Sequence, residues 1–481
     1  TYKKRLKKNI FNLLPNDRYE RTFDIPKQFY LLKSKINSNI EIKSMEILLN
    51  HFRLPYSIVN IEDLNNQIFF EKQESIVFLC TKINIDKVKI FIGKKNCKII
   101  VFDSDKNKIK NNNENVTYIN ESPVQLLPFY QGLRSKIVKE FTDILLNLNF
   151  LIVSGFMPPQ ISLRIDDVSG KNFNQYISTI LNFNWKPNLG IFIDEFNKNK
   201  DSDLTEISSL NKKGIIEMSP HAFNEKKFIF FDYPNGIPIS KEKFNLYWNI
   251  VKKRFNEWDF KISPVVNAHF HAYSDTNFDI FMNNGIKYIF SELSANKTKL
   301  VPNKKYIPSG DPLTTTGQIT DNNIIQIYSG DSVLDCNQKE SNYDFLMHAG
   351  KFNISSNAFE RIKKRLSLSL STGFATFITT HEYLINKLKL ENLSEIFLMI
   401  DDFIKSNKLK PKKVSLSEIG RACENHTNII IQSVKNNKND LEINLNGKSN
   451  GDFYLTTFGN NKMKLVKFPS FTENVNVKIK K

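Results

Sequence analysis

Two adjacent carboxylates, Asp166 and Asp167, close the short run Leu163-Arg164-Ile165, which reads as a β-strand. Neighbouring side chains on an extended backbone point to opposite faces, so the pair suits a division of labour in which one acid binds a cation and the other takes a proton. It suits a plain turn or helix cap equally well. Further on, Ser219-Pro220-His221 ends another apolar run and Glu225 follows four residues later. A helical turn there would put His221 and Glu225 on one face, a spacing that fits two ligands of one divalent metal. Asp167, His221 and Glu225 then make a two-carboxylate, one-histidine set open to water and substrate, and zinc or another first-row divalent ion suits it. Alternatively His221 caps a strand-to-helix turn and Glu225 is solvated.

The remaining histidines sharpen this pattern. His269 and His271 lie two apart after the run Pro264-Val265-Val266, on one face of an extended chain, as substrate contacts or as a rival metal pair. His381 follows the run 375–380 and is a candidate proton donor. Of seven histidines, four (His221, His269, His271 and His381) fall just beyond predicted strands, and that clustering carries more weight than any one of them. His348 is expected near the substrate's path or packed behind it, and His51 and His426 as ordinary packing or surface residues.

The elements that must position these groups follow from periodicity. From 21 to 145, after a basic segment at 1–20, helical spacing at 40–52 alternates with strand-like runs at 56–61, 75–80 and 98–103, predicting a small open α/β domain without a phosphate-binding glycine loop. From 150 to 415, short apolar strands at 160–165, 189–193, 214–218, 263–266, 287–290 and 375–379 alternate with helices or loops, which fits a distorted or incomplete (β/α) barrel. Barrels gather reactive groups at the carboxyl ends of their strands. From 425 to 481 the pattern predicts a β-rich domain with turns at Asn446-Gly447 and Asn450-Gly451.

Composition excludes several classes. With 40% apolar and 25% charged residues the chain is neither collagen-like nor disordered, and no run is long enough to cross a membrane. The net charge of +18 admits an acidic partner, yet the lysines look scattered and read more simply as a solvated surface. Only Lys3, Lys4, Arg5, Lys7 and Lys8 form a basic cluster, suited to peripheral membrane contact, and no apolar segment of signal-peptide type follows it. Cys80, Cys97, Cys336 and Cys423 are too dispersed for a disulfide framework or zinc ribbon, so a reducing bacterial cytoplasm is the expected setting, with Cys80 a core thiol.

The order Leu163-Arg164-Ile165-Asp166-Asp167, Ser219-Pro220-His221 through Glu225, Ala268-His269-Phe270-His271 and Ile378-Thr379-Thr380-His381 resembles the metal-dependent polysaccharide deacetylases. It is most similar to the deacetylase half of the heparan sulfate N-deacetylase/N-sulfotransferases, over about 25–415. The resemblance implies a metal-dependent amide hydrolase acting on an N-acetylated glycan, with zinc suited to the donor set, and the basic surface would accommodate an acidic chain. Under it Asp166 would be the general base, His381 the general acid, and Asp167 and His221 metal ligands; beside these, Arg164, His269, His271 and His348 are the candidate substrate contacts. The departure is Glu225, where the family usually has a second histidine; it points either to an altered metal or to a decayed barrel that only binds polysaccharide. A glycoside hydrolase is disfavoured, because adjacent carboxylates cannot flank a glycosidic bond. A nucleic-acid binder, suggested by the charge and the aromatics, would require salt-dependent retention and no metal site.

Overall fold

The computed structural model of the protein describes residues 28–35, 37, 39–65, 75–81, 88, 97–103, 114–126, 133–155, 160–198, 203–269, 273, 277–291, 318–319, 325–328, 376–386, 390–406 and 411–481. His271, His348, Cys336 and the basic cluster at 3–8 lie outside them, as do the side chains of His51 and His426.

The chain forms two compact units, residues 1–158 with 424–481, and 159–423. In the first, strands β1 (Phe29–Lys33), β2 (Tyr56–Asn60), β3 (Ile76–Thr81), β4 (Cys97–Phe102) and β5 (Val116–Ile119) form a parallel sheet in the order β2-β1-β3-β4-β5. The run Ile76-Val77-Phe78-Leu79-Cys80 is buried at every position, as a central parallel strand covered on both faces requires. Burial pushes the Cys80 thiol up to about 12, which makes it an inert core group. Strand β6 (Ile152–Ser154) ends this stretch of chain.

The second unit carries the chemistry. Strands β7 (Gln160–Val168), β8 (Asn188–Phe192) and β9 (Glu217–Ala222) pair in parallel, and β10 (Val265–Val266), β11 (Tyr288–Ser291), β12 (Gln318–Ile319) and β13 (Ile325–Tyr328) form a second sheet, in which only β12 runs antiparallel. Strands β14 (Thr376–His381) and β15 (Lys412–Lys413) both add to β7, giving the order β14-β7-β8-β9 with β15 continuing beside β7. A bridge from Met218 to Ile262 links the two sheets' neighbourhoods. Among the described residues the strands form two sheets and not one closed ring, so the fold is mixed α/β on parallel sheets.

Apolar helix faces explain the packing. Phe173, Tyr176, Ile177 and Ile180 recur at helical spacing on the helix Phe173–Asn182, and all four are buried against Ile161, Leu163, Ile165 and Leu189. Asp203 starts the helix Leu204–Lys212 by accepting hydrogen bonds from the amides of Thr205 and Glu206. The expected strand at 214–218 lies three residues later, because Gly214, at φ +69°, ends that helix before the chain can extend.

The C-terminal strands β16 (Ile429–Asn436), β17 (Asp440–Ser449), β18 (Phe453–Gly459), β19 (Lys462–Phe468), β20 (Phe471–Thr472) and β21 (Val475–Lys480) pair antiparallel, and β18 also pairs with β6. The Asn446-Gly447 turn does not form; both residues sit inside β17, where Gly447 adopts φ +119° close against the carbonyl of Asn428. The turn falls instead at Asn460-Asn461, both left-handed, between β18 and β19.

Candidate metal centre

Strand β7 breaks its register with β8 between Ile165 and Val168, and Asp167 inside that bulge adopts φ 55°, in the left-handed region. A bulge re-aims a side chain, and here it turns Asp167 toward the ends of β9 and β10 while Asp166 keeps its strand position. Asp166 lies two residues from Arg164, on the same face, and receives both its Nε and its second terminal nitrogen at 2.8 Å. Arg164 is 1% exposed, so the residue expected to meet substrate instead clamps Asp166 from beneath. Burial opposes the charge on Asp166, but the Arg164 guanidinium, then His221, hold its carboxyl well below the usual carboxylate range.

His221 is the last residue but one of β9, with its ring buried. Its Nδ1 lies 2.6 Å from the carbonyl oxygen of Asn267, which can only accept, so Nδ1 carries the proton and Nε2 presents a lone pair. That Nε2 stands 2.8 Å from His269 Nδ1 and 3.3 Å from Asp167 Oδ1, while His269 Nδ1 is 3.5 Å from the same oxygen. Asp167, His221 and His269 thus offer three ligand atoms within 4.8 Å of one another. Asp167 Oδ1 is buried and accepts no hydrogen bond from the described residues. Two nitrogens and an orphaned carboxylate oxygen at these separations fit a zinc-type ion, because ligands about 2.0–2.1 Å from a tetrahedral centre stand roughly 3.3 Å apart. Burial and the neighbouring His221 bring the His269 imidazole down to about 4, which keeps it neutral and able to ligate near neutral pH.

Behind His221 runs a buried polar chain that the sequence did not announce. Asn267 Nδ2 donates to Asn188 Oδ1 at 3.0 Å, and Asn188 donates in turn to Ser219 Oγ and Glu217. Gly190 leaves room for it: a Cβ there would meet Asn267 Nδ2 at 2.8 Å and His221 Nδ1 at 3.1 Å. His381 ends β14 in register with Asp166, and its Nε2 lies 3.8 Å from Asp167 Oδ2. The next residue, Glu382, is 1% exposed and accepts from the Ser169 amide and hydroxyl at 2.6 Å, the Gly170 amide at 3.1 Å and the Tyr176 hydroxyl at 2.8 Å. It fastens the loop after β7 to the end of β14, and the only sequence signal for it was its place beside His381.

Glu225 occupies a different setting from the one expected. The residues after His221 form a tight hairpin, in which Asn224 Oδ1 accepts from the amides of Lys226 and Lys227 at 3.0 Å, and Glu225 is exposed at its tip. Without a helix, the i, i+4 face does not exist, and Glu225 is absent from the ligand group. Its charge bears on Glu195 instead, whose carboxyl is raised first by burial and then by Glu225.

No protein-family model matches the chain, and no curated protein matches its sequence. Among solved structures, the chain is similar to the carbohydrate deacetylase Agd3, with 8% identity and a TM-score of 0.52 over 95% of this chain and 99% of that one. A polysaccharide deacetylase structure from Mycobacterium smegmatis, described there as putative, aligns at 8% identity and a TM-score of 0.37 over 56% of this chain and 91% of that one. The first likeness establishes a shared fold.

Proposed function

We propose that this chain is a metal-dependent hydrolase that removes N-acetyl groups from N-acetylhexosamine units of a polysaccharide or glycan precursor. The observation that carries the proposal is the convergence of Asp167, His221 and His269 from three strand ends onto one point, with His381 facing it. The fold shared with a carbohydrate deacetylase supports the substrate class. The motif order that resembles the heparan sulfate N-deacetylase half supports an acidic, N-acetylated chain in particular, carried on an incomplete (β/α) barrel.

Asp167, His221 and His269 would hold the cation, zinc by donor type. When bound, such an ion polarises an acyl carbonyl and acidifies water, the help that a poorly electrophilic amide needs. Asp166, ionised and fixed by Arg164, takes the proton of the attacking water. The water oxygen bonds to the acetyl carbon. His381, protonated, gives its proton to the departing nitrogen as the C–N bond breaks, leaving acetate and a free amino sugar. Arg164 and His221 hold the Asp166 carboxyl well below the usual carboxylate range, which favours its ionised, proton-accepting form.

The binding-only reading drew its force from Glu225 in the place of a second histidine. The His269 nitrogen, 2.8 Å from that of His221, supplies a second histidine at the cluster and so favours the hydrolase reading. The test is acetate release from N-acetylglucosamine and N-acetylgalactosamine oligomers, with Asp166→Asn and His381→Ala as variants. The proposal expects release that stops on chelation, returns with zinc and falls by about 100-fold or more in either variant. Zinc-loaded protein that releases no acetate from any N-acetylated hexosamine polymer contradicts it.

A further inference from the structure

At the opposite end of the β8–β9 sheet from the Asp–His cluster lies a cavity of about 650 Å³, within the range of small-ligand sites. Glu217 lines it at the start of β9 and His221 stands one residue before that strand's end, so the two places are separated by roughly 13 Å of extended chain. Lysines that look scattered along the sequence gather here from separate segments: Lys186, Lys212, Lys213, Lys261 and Lys287, joined by Arg421. Among the described residues two carboxylates line the same space, Glu217 and Glu418.

Both carboxylates are already engaged. Glu217 accepts from the Ser417 amide and from Asn188, and Glu418 accepts from the Ser415 amide at 2.8 Å and from Lys186 at 3.1 Å. Lys212 pairs with Asp259 at the rim. Lys213, Lys261 and Lys287 have no carboxylate within ion-pair reach among the described residues, and all three are exposed. Cations on an open, convex surface can spread apart into water; a concave wall instead holds them together and focuses their field inward. Ser263, Ser415 and Ser417 add hydroxyls to the same wall.

We propose that this cavity is a binding site for an anionic ligand bearing at least two carboxylate or phosphate groups, distinct from the Asp–His cluster and independent of what that cluster catalyses. Lys213, Lys261 and Lys287 supply charge that has no carboxylate within ion-pair reach among the described residues, and the serines supply neutral hydrogen bonds.

The test is calorimetric titration of the full chain with digalacturonate, inorganic pyrophosphate and, as a neutral control, chitobiose. A triple variant, Lys213→Gln, Lys261→Gln and Lys287→Gln, removes the unpaired charges. Its control, Lys435→Gln, Lys462→Gln and Lys478→Gln, removes equal charge from exposed positions elsewhere. The proposal expects saturable binding of one or both anions, weakened by salt, weakened about tenfold or more in the cavity variant and unchanged in the control variant and in Asp167→Ala. Digalacturonate alone marks a carboxylated saccharide, and pyrophosphate alone a phosphorylated ligand. No saturable binding of either anion, equal loss in both triple variants, or loss in Asp167→Ala overturns it.

Discussion

Asp167 has an orphaned buried oxygen, and His269 is a histidine that burial keeps neutral; these two residues define the centre more sharply than any motif. His269 has its value lowered to about 4, whereas in the unfolded chain it titrates near 6.5. As pH falls from about 6.5 toward 4, the unfolded state binds the proton first, so stability that is full above 6.5 is lost across this window. In cation-stripped protein the denaturation midpoint should therefore fall with pH there, and His269→Asn should flatten the slope; equal slopes would contradict the assignment. Gly190→Ala tests the polar chain behind His221. Its Cβ would press on Asn267 Nδ2 at 2.8 Å, so we expect reduced metal content and a destabilisation of about 1–3 kcal/mol, read by elemental analysis and urea unfolding. Asp166, Asp167, His221 and His381 were legible as strand-end polar residues. For His269 the sequence left two readings open, substrate contact or a metal pair with His271; its place beside His221 and Asp167 depended on the shape of the chain after His221, an Asn224-anchored hairpin rather than a helical turn. Asn224 itself was the available signal, since asparagine favours such turns.

Strands were legible wherever apolar runs were short and bounded, and β7, β8, β10, β11 and β14 lie close to their expected places. The bulge at Asp166–Asp167 was not, because register is a property of two strands and no single run encodes it. Nor does a run of residues reveal whether strands close into a ring, which depends on long-range pairing. At this scale Glu382 is the tie that matters, since it joins the loop after β7 to β14 and so fixes His381 relative to Asp167. Glu382→Gln keeps the shape but turns one acceptor into a donor facing other donors. A loss of about 1–3 kcal/mol in stability is expected, with a lower kcat and little change in KM, measured by thermal unfolding and acetate release. A variant as stable and as active as the parent would remove Glu382 from the positioning machinery.

On the scale of the whole molecule, the C-terminal strands share a compact unit with the N-terminal parallel sheet, joined through β18 and β6. Sequence patterns marked an N-terminal α/β stretch and a C-terminal β-rich one but could not pair segments so distant in the chain. Ile443 and Leu445 of β17 are fully buried in the same apolar cluster as Val153 of β6. Ile443→Ala should cost about 2–5 kcal/mol in that unit, followed by fluorescence-detected unfolding, while metal content stays at the parental level. Loss of metal together with that unit would show that the centre depends on it.

The claim on which the rest stands is a divalent ion held by Asp167, His221 and His269 together. X-ray absorption at the metal edge of protein purified without chelator tests it directly. The account predicts a centre with two histidine nitrogens at about 2.0–2.1 Å and a carboxylate oxygen, losing one nitrogen in His269→Ala. A bound metal whose histidine count is unchanged in His269→Ala, or a centre without histidine, would contradict it.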